Sequence, residues 1–149
     1  MEELVIRHAG MADLADLLTL YTHLNSHDEV YPAEEAKERL DQIERYAGSG
    51  ILIGTLHGQL VASCTLIVIP NLTRGGRSYA LIENVVTHRS WRRRGFGAAL
   101  LKAAADQAWQ HGCYKVMLLT GLKEPGTLAF YEKAGFEQSK TGFQMRAHP

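Results

Sequence analysis

The sequence is poor in cysteine and carries no surplus of either charge, and each shortage excludes a class of protein. Two cysteines in 149 residues, Cys64 and Cys113, form no CxxC pair and join no histidine at zinc-like spacing. A disulfide-stapled scaffold and a zinc module are therefore set aside. Two buried free thiols in a reducing compartment is the expectation, with a disulfide between them as the alternative. Lys plus Arg number 16 and Asp plus Glu number 16, whereas a surface that binds nucleic acid through its phosphates carries a basic excess. No nucleic-acid partner is expected, and any cationic patch must be local. The longest apolar run, 60–69, falls far short of a membrane span. The start, Met1-Glu2-Glu3, is acidic where a secretory leader would be basic. A cytoplasmic protein with no membrane partner is expected. No internal repeat, low-complexity tract or Pro/Gly/Ser-rich linker divides the chain, so one domain over 1–149 is expected.

What is present is an ordinary globular composition, 46% hydrophobic, with enough length for a substantial core. A short strand reads at 4–6. Leu14, Leu17, Leu18, Tyr21 and Leu24 share a helical stripe over 13–24. After a polar loop, Pro32 with Glu34, Glu35 and Glu38 opens a second helix running to about Tyr46, where Gly48-Ser49-Gly50 stops it. Strands at 51–56 and 60–69 flank a hairpin turn at His57-Gly58-Gln59, and Pro70 ends the second. A loop carrying Arg74-Gly75-Gly76-Arg77 leads to a long strand, Tyr79–Thr87. A helix over 95–111, a buried strand over 114–119, a short helix over 127–134 and a final hairpin from 136–138 and 143–146 complete the chain. The order predicts an α/β (α+β) fold with a mixed, mostly antiparallel sheet rather than a regular βαβ array.

The most informative stretch is Arg92-Arg93-Arg94-Gly95-Phe96-Gly97, between the long strand and the helix. A helix N-terminus offers unpaired N–H groups and partial positive charge, which makes it an anion site. Gly95 and Gly97 allow a tight turn and close approach of a phosphate. The plainer reading is a basic turn whose glycines shape the helix entry. A dinucleotide turn needs a third glycine where Leu100 stands, and the Walker pattern is absent.

This turn matches Q/R-x-x-G-x-G/A, the pyrophosphate motif of the GNAT acetyltransferase superfamily, and the chain resembles that family in two further places. Leu81-Ile82-Glu83-Asn84-Val85-Val86-Thr87-His88 is similar to its fourth strand. Thr127-Leu128-Ala129-Phe130-Tyr131-Glu132-Lys133-Ala134-Gly135-Phe136 is similar to its late helix, (F/L)YEKxGF. The element order covers nearly the whole chain. Within the superfamily the chain resembles the glucosamine 6-phosphate N-acetyltransferases, through Ile82-Glu83-Asn84-Val85, Gly112-Cys113-Tyr114-Lys115 and the segment from Phe130 to Phe136. It departs from them at Glu83-Asn84, where those enzymes typically carry an acidic pair. It also carries Glu124 where many members have an asparagine that contacts the coenzyme.

The resemblance implies a GNAT fold, with about six to seven strands, about four helices and strands four and five splayed around acetyl-CoA; no metal is implied. The pantetheine arm would pair with backbone near Val85, Val86 and Thr87. The pyrophosphate would sit on the amides of Arg93, Arg94, Gly95, Phe96, Gly97 and Ala98, with Arg92 or a neighbour adding side-chain contacts. The implied reaction is direct acetyl transfer to a primary amine in a ternary complex. Tyr131 is the implied acid toward the departing thiolate, because a phenol is protonated at neutral pH; the plainer reading has it packing the late helix. Glu83 is the candidate base, directly or through water, or a partner to an arginine. Strand alternation places it beside Val85 and opposite Ile82, Asn84 and Val86. Asn84 is a candidate to orient the acceptor. In this fold the first two helices and the loop between strands three and four set specificity. There Asp28, Glu29, Glu34 and Glu35 suit a cationic amine, and Arg74 and Arg77 suit a phosphate or carboxylate. A small molecule carrying both groups, an amino sugar phosphate or an amino acid, is the expected acceptor. A protein acetyltransferase and a non-catalytic acyl-CoA-binding module are the alternatives. His23 and His27 have helical spacing but no acidic third ligand, so no metal is expected. A homodimer is the expected assembly, since relatives dimerise through late strands.

Overall fold

The computed structural model describes residues 3–148. Met1 and Glu2, on which the expectation of a leaderless chain partly rests, lie outside it. The chain divides into two compact units, Met1–Leu118 and Leu119–Pro149.

The first unit holds one five-stranded sheet in the order β1 (Val5–His8), β2 (Gly50–Leu56), β3 (Gln59–Ile69), β4 (Tyr79–Thr87) and β5 (Val116–Leu118). The first four pair antiparallel in sequence, and β5 joins β4 in parallel. Tight connections make the meander possible: the β2–β3 hairpin turns on His57 and Gly58, both at positive φ, the conformation that primed hairpin turns demand. β2 is buried along its whole length, which follows from helices on both faces. On one face α1 (Leu14–Tyr21) and α2 (Ala33–Glu44) bury Leu14, Leu17, Leu20, Ala36 and Leu40 against Ile51, Ile53 and Val86. Against the other, α3 (Phe96–Gln110) buries Leu100, Leu101, Ala104 and Ala108, one stripe at helical spacing. Pro32 caps α2, as the sequence suggests.

Alternation along β4 is interrupted. Glu83 pairs with Thr65 of β3 and Val86 with Ser63, so Asn84 and Val85 together stand opposite Cys64. This bulge inserts one residue and reverses the parity beyond it. Asn84 takes φ +53°, a left-handed conformation that asparagine tolerates better than most residues. Glu83 therefore shares the α1/α2 face with Val86, not with Val85 as strict alternation predicts. Ile82 and Thr87, the partners of Leu66 and Ala62, lie on the α3 face.

The second unit contains α4 (Pro125–Lys133). It starts two residues earlier than the sequence reading, because Pro125 fits a first helical turn. Gly135, at φ +101°, ends it. The expected final hairpin does not form: neither 136–138 nor 143–146 is a strand, so the described residues hold five strands rather than six to seven. Phe143 and Met145 alternate as a strand would, yet they are 91% and 97% exposed. Alternation marks a face, but a strand also needs a paired ladder and a buried side.

Candidate functional site

The site is built around β4 and the turn that follows it. β5 pairs with β4 only at Ala80, Leu81 and Ile82. From Glu83 to Thr87, β4 continues to pair with β3 on one side, while β5 ends at Leu118 and leaves the other side without a ladder. Among the described residues the ladder between strands four and five thus stops where the bulge begins. Unpaired strand backbone of this kind accepts an extended chain as an added strand. Val85, Val86 and Thr87 all lie on that stretch.

Beyond Thr87 a single 3-10 turn, Arg89–Trp91, leads to the basic glycine motif. Arg93 (φ +64°) and Gly95 (φ +82°) both take left-handed conformations, and Gly95 is the residue before α3. It offers no side-chain cap, and Ala99 N donates to Gly95 O at 3.0 Å, beginning the helical ladder. The amides of Phe96, Gly97 and Ala98 precede that first bond, and they point out of the helix end. A Cβ added at Gly95 would meet nothing within 4 Å, so the glycine is required by backbone conformation and not by crowding.

The three arginines divide their work. Arg92 is engaged with backbone: its Nε donates to Thr87 O at 3.1 Å and its guanidinium to His23 O at 3.3 Å. It ties the end of α1 to the end of β4 and so fixes the turn. The Arg94 guanidinium lies 4.8 Å from the centre of the Trp91 ring. The Trp91 and Phe96 rings are 6.4 Å apart. His23 stacks on His88 with ring centres 4.1 Å apart, and its Nδ1 accepts from Arg89 N at 3.4 Å. Desolvation, then the charges of His88, Arg89 and Arg92, push the His23 pKa below its ordinary value. His23 is thereby part of the brace behind the turn, a role the sequence did not suggest. Among the described residues no three of His, Cys, Asp and Glu gather where they could hold a metal ion.

Glu83 is exposed just past the end of the β5 ladder, not buried within an apolar strand as its neighbours suggest, and among the described residues it forms no ion pair. Its register partner Thr65 and the adjacent Ser63 are buried hydroxyls on the α1/α2 face. The phenol of Tyr21 at the end of α1 approaches both; burial pushes its pKa up and the two hydroxyls act the other way. A polar strip thus leads away from Glu83 under α1. Arg74 and Arg77 lie exposed in the loop before β4, with Arg74 5.6 Å from the centre of the Tyr114 ring. Glu29 is exposed between α1 and α2.

In the second unit, Tyr131 lies on α4 between Phe130 (ring centres 5.0 Å) and Phe136 (6.3 Å), both edge-on. Burial pushes its pKa upward, so the phenol keeps its proton at neutral pH and is suited to donate it.

A strand that parts from its neighbour beside a helix N-terminus with open amides is an arrangement for an extended ligand ending in a phosphate. Residues 13–136 match the Acetyltransferase (GNAT) family. The chain belongs to that family. It is 35% identical over 146 residues to a glucosamine 6-phosphate N-acetyltransferase of Trypanosoma brucei brucei, spanning 97% of this chain and 95% of the relative. A solved structure of a presumed acetyltransferase from Agrobacterium tumefaciens str. C58 superposes with TM-score 0.89 at 46% identity, covering 95% of this chain and 99% of that one. The glucosamine-6-phosphate N-acetyltransferase of Arabidopsis thaliana superposes with TM-score 0.87 at 23% identity over 98% and 99% of the two chains, a likeness of fold. The chain is an acetyl-CoA-dependent N-acetyltransferase of the GNAT fold. No helix among the described residues is long and apolar enough to cross a membrane.

Proposed function

We propose that this GNAT enzyme, working as one domain over 1–149, transfers the acetyl group of acetyl-CoA to the primary amine of a small molecule of the amino-sugar-phosphate kind. The observation that carries the reading is the conjunction of the open β4 edge at Glu83–Thr87 with the free amides of Phe96, Gly97 and Ala98. The first suits the pantetheine arm along Val85, Val86 and Thr87. The second suits the pyrophosphate, with Arg93, Arg94 and Gly95 completing the cradle and Arg92 holding it in shape. The acceptor class is supported by the activity named for the Trypanosoma brucei brucei relative.

Glu83, directly or through a water, takes a proton from the substrate ammonium. The amine then attacks the thioester carbonyl, the carbon–sulfur bond breaks, and Tyr131 gives its proton to the departing sulfur. The products are the N-acetyl amide and CoA thiol. Asn84 is suited to orient the acceptor and Glu29 matches its ammonium, while Arg74 and Arg77 are the loop alternative for its anion. A cytoplasmic location is supported by the two cysteines, both buried and free. A homodimer is supported by the bare apolar residues Phe143 and Met145.

Titration with acetyl-CoA followed by CoA release across a panel of amines tests the reading; binding with release on no amine would sink it. Within that assay, Tyr131→Phe should lower kcat about 10- to 100-fold and leave acetyl-CoA affinity nearly unchanged. Unaltered kcat would remove Tyr131 from the mechanism.

A further inference from the structure

On the α1/α2 side of the sheet a cavity of about 540 Å³ is lined by Arg39, Gln42, Ile43, Arg45, Tyr46 and Ile67. Its volume falls in the range of small-molecule sites. Its floor runs toward Glu83. Ile67 of β3 pairs with Leu81 of β4, and two residues along Thr65 pairs with Glu83. Residues two apart on a strand share a face, as do cross-strand partners. Ile67, Leu81, Thr65 and Glu83 therefore form one patch, and the diagonal from Ile67 to Glu83 spans roughly 7–8 Å.

The residues lining the cavity include no acid but two arginines. They are not equivalent. Arg45 is paired with Asp41 at 2.7 Å. Arg39 donates instead to neutral oxygens, the Tyr31 hydroxyl at 3.3 Å and Gln42 Oε1 at 2.9 Å. Glu38 and Glu35 of its own helix act on it only through space. Among the described residues Arg39 makes no ion pair, so its charge is available to an incoming anion, and its planar fork suits a phosphate.

We propose that this cavity is the acceptor's anion subsite and that Arg39 selects amines carrying a phosphate several bonds away from the nitrogen. The inference rests on the reading of Glu83 as the residue that receives the amine. It also narrows the acceptor class. In an α-amino acid the nitrogen and the carboxylate carbon are about 2.5 Å apart, two bonds across one carbon, too close to reach both Glu83 and the α2 wall. A phosphorylated amino sugar separates the groups enough. The anion then sits on α2, not on the loop pair Arg74 and Arg77.

The test is steady-state acetylation of glucosamine 6-phosphate, glucosamine and glycine by the full chain and by Arg39→Ala, Arg39→Lys and Arg77→Ala variants. The expected result is that Arg39→Ala raises KM for glucosamine 6-phosphate about 10-fold or more relative to KM for glucosamine. Arg39→Lys should recover part of the loss and Arg77→Ala should have little effect. An equal change for both sugars, or the whole effect appearing in Arg77→Ala, overturns the subsite. Glycine as the preferred acceptor overturns it while leaving acetyl transfer intact. A wild-type enzyme that acetylates none of the panel overturns the functional reading and this one together. Arg39 is exposed, so its replacement leaves the core untouched.

Discussion

At the Thr87 end of β4 the groups on offer are backbone amides and an unpaired strand edge. At the Tyr79 end they are side chains brought from α2 and β3. A ligand at the first end would meet atoms that every residue possesses, so the requirement on sequence is conformational: glycine at Gly95, where φ is positive. That requirement is local and leaves a motif. The second end recognises a ligand through charge and shape, and it can be assembled from residues as distant as Arg39 and Ile67. Arg39, Gln42, Ile43 and Tyr46, from α2 and just beyond it, repeat at helical spacing, but nothing in the sequence joins them to Ile67 of β3. On the proposed reading, coenzyme and acceptor would be handled by two kinds of chemistry on one strand.

The comparison breaks most visibly at Gly95. A β-branched residue there must adopt φ near +82°, which is strongly disfavoured for it. Gly95→Val should tilt the amides of Phe96, Gly97 and Ala98 and weaken acetyl-CoA binding about 100-fold, a loss of roughly 2.7 kcal/mol. Calorimetric titration, with circular dichroism as the folding control, measures it. Unchanged affinity would mean that the turn is only a helix entry.

Asn84→Val probes the junction between the ends. A β-branched side chain at φ +53° should cost about 1–2 kcal/mol of stability, read from a urea unfolding curve, while Asn84→Gly should be close to neutral. If valine is tolerated, the bulge does not hold the register that turns Glu83 toward α1 and α2.

The smallest effect concerns the brace behind the coenzyme turn. His23 holds its proton less tightly folded than unfolded. Its contribution to stability is therefore fully present above pH 6.5, the ordinary value, and lost as pH falls below it. Protonation also removes the Nδ1 acceptor used by Arg89 N. The groups that face it are His88, Arg89 and Arg92, with Asp16 in the same cleft. The wild-type Tm should decline as pH drops below 6.5, and His23→Gln should flatten that decline. Parallel curves for the two proteins would remove His23 from the acid response.

What could be read from the sequence follows the same division. The antiparallel meander was legible because hairpin turns and apolar strands are local signals, and the tight turn into α3 because glycines beside arginines precede an amphipathic helix. The bulge was not, although Asn84 in an otherwise apolar run carried a hint: asparagine is among the few residues at ease in a left-handed conformation. Missing it misplaced the face shared by Glu83. Arg39 belongs to no motif in the sequence, and only Ile67 of β3 beside it completes a cavity. At 143–146 local alternation suggested a strand where the fold provides no edge to pair with.

The bulge also faces Cys64, a thiol sealed within β3 whose pKa burial pushes up to about 12. At neutral pH such a group stays protonated. The chain therefore keeps its own sulfur unreactive within a protein built to handle a thioester, and self-acylation at that position is suppressed. Cys113, also buried, is shifted in the same direction. A colorimetric thiol reagent added to the native protein should accordingly register released coenzyme against a nearly silent background, so turnover can be followed continuously without first mutating either cysteine.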